Sequence, residues 1–62
     1  MRIPDSLAPG AKVVLDDGNI RGTVISVLLD GRGVSQVEVV WYDDGVRYCE
    51  WCDPNEVEPA ED

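Results

Sequence analysis

A chain of 62 residues makes one domain at most, and at this size folding buries only about 60% of the surface that the unfolded form exposes. Hydrophobic residues at 44% and charged residues at 29% describe a folding globular domain rather than a disordered one, and two cysteines are too few to staple a small secreted fold. The formal charge of -8 is concentrated in residues 42–62, where Arg47 alone faces eight acidic side chains, so the chain disfavours phosphate backbones and anionic membranes and favours basic protein surfaces.

Residues 1–8 read as an N-terminal arm. The start, Met1-Arg2-Ile3-Pro4-Asp5, lacks the apolar stretch of a secretion signal, and no apolar run approaches the roughly 18 residues of a membrane span. A cytoplasmic address is expected. Three Asp-Gly pairs, Asp17-Gly18, Asp30-Gly31 and Asp44-Gly45, then punctuate the chain. Glycine enters positive φ without steric cost and aspartate bonds to nearby backbone, so each pair predicts a turn between strands.

The first strand is Lys12-Val13-Val14-Leu15. The second, Arg21 to Leu29, is long enough to bend and serve two layers of a small barrel. The third, Ser35 to Tyr42, alternates: Val37, Val39 and Trp41 point one way, Gln36, Glu38 and Tyr42 the other, with Val40 the apolar exception. The fourth is Val46 to Cys52. Asp53-Pro54-Asn55-Glu56 has the chemistry of one helical turn, and a short closing strand is expected at Val57. Residues 60–62 read as a frayed acidic tail. With no sustained 3.6-residue apolar period, the reading is all-β, with five short strands.

The stretches "PGAKVVL", "GTVISVL", "VEVVWYDDG" and "EWCDPNEVEP" resemble the small SH3-like barrels of the Tudor and KOW type, found in bacterial and phage proteins. The likeness covers residues 9–59. It implies a five-stranded SH3-like barrel with one short helical turn before the last strand, and a core of Val13, Leu15, Val24, Val37, Val39, Cys52 and Val57. Tudor barrels that read methylated lysine or arginine hold the cation in an aromatic cage. Here the first hairpin, "DDGNI", offers no aromatic, leaving a partial cage of Tyr42, Tyr48 and Trp51 with Asp43 or Asp44 as counter-charge.

Cys49 and Cys52 have the spacing of a redox dithiol or half a zinc site. On a strand, however, residues three apart point to opposite faces, with Cα atoms roughly 10 Å apart, beyond the reach of a disulfide or of one shared metal. No histidine or second cysteine pair completes a zinc site, and no helix N-terminus is at hand to activate a thiol. The Asp-Gly segments lack the alternating ligands of a calcium loop. No nucleophile–base pair or phosphate-cradling loop is present, so neither an enzyme nor a cofactor is expected.

What remains is a non-catalytic interaction module. Its expected partner is a protein with a basic surface, met by Trp51, Tyr42 and Tyr48 among Asp43, Asp44 and Glu50. A regulator or inhibitor of a nucleic-acid-binding protein is one such role. The alternative from another class is a KOW-like nucleic-acid or ribosome-associated module working through Lys12, Arg21 and Arg32 at one end of the barrel. A third is a structural assembly protein whose exposed edges pair between copies, so that the chain is a monomer or a weak homo-oligomer.

Overall fold

The computed structural model describes residues 5–60, whose five strands run antiparallel in one sheet. The strands are β1 (Lys12–Leu15), β2 (Ile20–Asp30), β3 (Gly33–Asp43), β4 (Val46–Cys52) and β5 (Glu58–Pro59), with short 3-10 turns at Asp5–Leu7, Asp16–Gly18 and Pro54–Glu56. Their order across the sheet is β4-β3-β2-β1-β5, so β4 and β5 are its two edges. Pairing between strands does not close the sheet into a ring. Instead the 3-10 turn Pro54–Glu56 packs across β3 and carries the chain from one edge to the other.

Two of the three Asp-Gly pairs form the turns expected of them. Asp44 and Gly45 both have positive φ, 52° and 79°, the signature of the tight turn whose twist matches the flanking strands. Asp17 and Gly18 do the same at 56° and 88°, and the Asn19 N–H donates to the Asp16 carbonyl at 3.1 Å. The middle pair is shifted by one. The turn residues are Gly31 and Arg32, and Asp30 stands before them with its carboxylate accepting the Arg32 N–H at 2.7 Å. This turn is tight enough for pairing to continue to Asp30 and Gly33, so β2 and β3 each reach 11 residues, longer than expected.

β2 carries a pairing irregularity near its middle. Val24 pairs with Val39 and Ser26 with Glu38, which leaves Ile25 as an unpaired extra residue. Such a bulge kinks the strand and increases its twist. A second irregularity leaves Ser35 unpaired on β3, and its hydroxyl donates to the Leu28 carbonyl at 3.1 Å.

Val13, Leu15, Val24, Val37, Val39 and Val57 form the buried core. Each valine or leucine so buried contributes roughly 1.5–3 kcal/mol. Cys52, expected among them, is only half-buried and packs against the cluster beside Leu7, Ile20, Val27 and Trp41. Val57 enters the core as the residue that ends the last 3-10 turn, and the closing strand begins one residue later. That turn forms as its sequence predicts: the Asp53 carboxylate accepts the Asn55 N–H at 2.9 Å, and Pro54 takes the first position.

Both ends of the described chain are tied to the sheet. Gly10 donates to the Val24 carbonyl at 2.7 Å, Val24 to Ala11 at 3.0 Å, and Ala60 to Lys12 at 3.0 Å. Of the expected arm, residues 1–4 lie outside the described residues; of the expected tail, residues 61–62 do.

The molecule measures 38 × 21 × 18 Å. Only β2 and β3, 11 residues at about 3.3 Å each, are long enough to span the long axis. The core fills part of that length. Beyond it the hairpin leaves Leu28 and Leu29 nearly half exposed.

Candidate functional site: an acidic cleft

Strand alternation decides which of the expected docking residues can act together. On β4, Tyr48, Glu50 and Cys52 lie opposite Trp41, Val39 and Val37, and therefore share the core-side face of the sheet. Arg47, Cys49 and Trp51 lie opposite Tyr42, Val40 and Glu38 on the outer face. The expected set is thus divided. Trp51 and Tyr42 are outer-face residues, Tyr48 and Glu50 are inner-face residues, and Asp43 and Asp44 sit at the turn between β3 and β4. A cage of Tyr42, Tyr48 and Trp51 is excluded by the same period of two, because Tyr48 points away from the other two.

The inner face carries the more organised arrangement. Where β3 leaves the core, Trp41 is half-buried and stacks on Tyr48, ring centroids 5.8 Å apart and planes 13° from parallel. Beside Trp41 opens a cleft of about 420 Å³ with an apolar floor of Leu15, Ile20, Trp41 and Cys52. Its lining includes Asp16, Asp17, Glu50, Glu56 and Glu58, and among the described residues no lysine or arginine lines it.

The acidic residues stand near the cleft for local reasons. Asp16 and Asp17 occupy the first hairpin turn at φ 52° and 56°, conformations that aspartate tolerates better than most residues. Glu50 is placed by the alternation of β4 and Glu56 by the 3-10 turn, whereas Glu58 pairs with Val14, itself paired with Arg21, so its side chain belongs to the opposite face of β1, where a second groove joins it to Arg21. Asp16, Asp17, Glu50 and Glu56, from three parts of the chain, make the surroundings of the cleft acidic. A cation entering at about 4 Å from one carboxylate gains on the order of 1 kcal/mol in a water-like medium and more where the cleft excludes solvent.

Of these residues, sequence reasoning selected Glu50 and assigned Trp41 to the core. It did not join Asp16, Asp17, Glu56 and Glu58 to them. The available signal was that acidic residues occur in both turns flanking the ends of β1 and β4, but only the folded sheet brings those turns to one place.

The two cysteines are free and lie on opposite faces of β4, as an uninterrupted strand requires. Exposed Cys49 donates its thiol to a Glu38 carboxylate oxygen at 3.0 Å, and that hydrogen bond is the main reason its pKa is raised above the usual 9.0. Half-buried Cys52 is also raised, chiefly by burial and then by the charges of Glu50 and Glu56. Both thiols therefore resist forming the thiolate that redox or nucleophilic chemistry uses. Among the described residues, no group of three or more His, Cys, Asp or Glu side chains is disposed to hold a metal ion.

The basic residues also separate. Lys12 and Arg21 lie together, bordering an outer groove with Thr23, Val40 and Tyr42, and the Lys12 ammonium donates to the Thr23 hydroxyl at 3.1 Å. Arg32 does not join them. It sits in the turn beyond the far end of β2, whereas Arg21 stands near the start of that strand. The expected trio at one end of the fold is reduced to a pair, because Arg21 and Arg32 bracket a strand of full length.

Among the described residues no helix is long and apolar enough to cross a membrane. No family model, curated protein or solved structure matches the chain.

Proposed function

We propose that this chain is a non-catalytic docking module that binds a basic segment of a partner protein in the acidic cleft beside Trp41. One observation carries the reading: Asp16, Asp17, Glu50 and Glu56 line a cleft with an aromatic and aliphatic floor, and among the described residues no basic one lines it. A lysine or arginine side chain suits such a site. Its alkyl stem covers the apolar floor, its cationic head meets Asp16, Asp17, Glu50 or Glu56, and the Trp41 ring adds a cation–π surface. The excess negative charge of residues 42–62 steers such a partner toward the cleft.

The strand order and the 3-10 turn ahead of the short last strand support reading the fold as an SH3-like barrel of the Tudor or KOW kind. Within that reading this chain is an acidic member whose partner surface is basic. A surface that ordinarily holds nucleic acid has the matching chemistry, and occupying it makes the chain a regulator of that partner. Direct binding of nucleic acid through Lys12 and Arg21 is the weaker reading, since the pair lacks its third member and the field of the molecule opposes a polyanion.

The test is a titration of a short Lys/Arg-rich peptide followed by amide chemical shifts. Shifts are expected at Asp16, Asp17, Trp41, Glu50 and Glu56, with affinity that falls as salt rises. Glu50→Lys is expected to weaken binding by about tenfold or more, equivalent to about 1.4 kcal/mol. Trp51→Ala, on the other face, leaves it unchanged. Shifts centred on Trp51 and Tyr42, with Glu50→Lys silent, overturn the cleft as the site.

A further inference from the structure

β4 offers a second surface that the cleft leaves unused. It is an edge strand of seven residues, and every residue from Val46 to Trp51 is exposed. Sheet edges are ordinarily guarded by proline, charged side chains or a bulge; β4 has no proline and no bulge, and its two charges are Arg47 on the outer face and Glu50 on the core-side face. The two-residue turn at Asp44-Gly45 makes Asp43 and Val46 a hydrogen-bonded pair, and bonded and non-bonded pairs alternate from there. Val46, Tyr48, Glu50 and Cys52 therefore bond to β3. The N–H and C=O groups of Arg47, Cys49 and Trp51 point outward from the edge.

We propose that β4 pairs antiparallel with β4 of a second copy of this chain, about a two-fold axis at Cys49. This is the single register that overlaps the whole strand. It sets Val46 against Cys52, Arg47 against Trp51, Tyr48 against Glu50, and Cys49 against Cys49 of the second copy. Arg47 and Trp51 share the outer face, where a guanidinium over an indole is a favourable cation–π pair. No like charges stand opposite one another. Moving the axis to Arg47 or to Glu50 places identical charges face to face, which destabilises a sheet. Moving it to Tyr48 leaves Trp51 opposite Gly45, with no side chain to meet.

The strand is also the neutral part of an acidic region. Arg47 and Glu50 are its only charged residues, while acids flank it at Asp43, Asp44 and Asp53. A pairing of one strand from each copy buries less than the roughly 1,200 Å² of stable interfaces, so the dimer is weak and concentration-dependent. Each copy carries -8, so screening relieves repulsion and salt strengthens the pairing. That sign is opposite to the one expected for binding a basic partner, which separates the two interactions experimentally.

Sedimentation velocity across concentration and salt, on the whole chain, is the test. The wild type is expected to shift toward a dimer as concentration and salt rise. Cys49→Lys opposes two cations at the axis and is expected to weaken self-association by more than about tenfold, with an unchanged circular dichroism spectrum. Mixing Cys49→Lys with Cys49→Glu is expected to restore the dimer. In Cys52→Ser, diamide is expected to link two chains: each Cys49 thiol gives up a proton and an electron, the S–S bond forms, and the diamide N=N bond is reduced to the hydrazine. The second copy's Cα lies about 5.5 Å away in a hydrogen-bonded pair, within disulfide reach. A wild type that stays monomeric at every concentration and salt, or a dimer indifferent to Cys49→Lys, overturns the proposal.

Discussion

Gly22 on β2 lies against Val39 of β3 so closely that a Cβ at position 22 would stand 2.6 Å from Val39 Cγ1 and 2.8 Å from the Val40 carbonyl oxygen. The neighbouring Trp41 Cβ is 3.5 Å away. The missing side chain lets β2 press on β3 where the core and the cleft meet. Gly22→Ala is expected to destabilise the fold by about 1–3 kcal/mol, the usual cost of overpacking, as measured by urea unfolding. An unchanged midpoint would mean that β2 can lift from β3 at no cost.

The stack of Trp41 on Tyr48 joins the core to β4, a strand otherwise exposed along most of its length. Tyr48→Ala is expected to cost about 1 kcal/mol through lost stacking and partial burial. Tyr48→Phe is expected to be close to neutral, because the ring and not the hydroxyl makes the contact. Thermal unfolding of the two variants side by side distinguishes them.

Asp17 holds a left-handed conformation at φ 56° and ψ 33° and also lines the acidic cleft. Asp17→Asn keeps a residue suited to that backbone and removes one charge. Stability is expected to hold while affinity for a basic peptide falls. Asp17→Val, a β-branched residue forced into the same conformation, is expected to cost about 1–2 kcal/mol. Equal losses for both variants would show that the charge, not the backbone, matters to stability.

Cys49 is exposed, yet its thiol is bonded to Glu38, and its pKa stands above 9.0. The protonated thiol is the form favoured here, so the thiolate becomes abundant only at a pH above that of an ordinary cysteine. Glu38→Gln removes the charge that opposes ionisation and lowers the pKa. Iodoacetamide labelling of Cys49 in a Cys52→Ser background is therefore expected to be faster in Glu38→Gln, with its pH profile shifted down. A profile that does not move would break the assigned link between the two residues.

Most of the strand pattern was legible because its signals are local. Asp-Gly turns, the alternation of Val37, Val39 and Trp41, and the Asp53-Pro54 start of the last 3-10 turn each act within a few residues. The same alternation placed Cys49 and Cys52 on opposite faces of β4 and so separated the two thiols. The middle turn was displaced because Asp30 serves as a hydrogen-bond acceptor for the turn rather than as a turn residue.

The cleft was not legible. Asp16, Asp17, Glu50 and Glu56 come to line one cleft only through the pairing of β1 with β2 and the 3-10 turn crossing β3. The set of Trp51, Tyr42, Tyr48 and Glu50 is divided between the two faces for a related reason: nearness in sequence on a strand assigns neighbours to opposite faces. Likewise Lys12 and Arg21 became neighbours through pairing, while Arg32 was carried away by the length of β2. By itself, then, the sequence determined an acidic, all-β chain of five strands with a valine-rich core, since turn chemistry and side-chain period are properties of short segments. Tertiary structure alone decided which charges meet, because convergence depends on sheet order and register, and those are set by the whole chain.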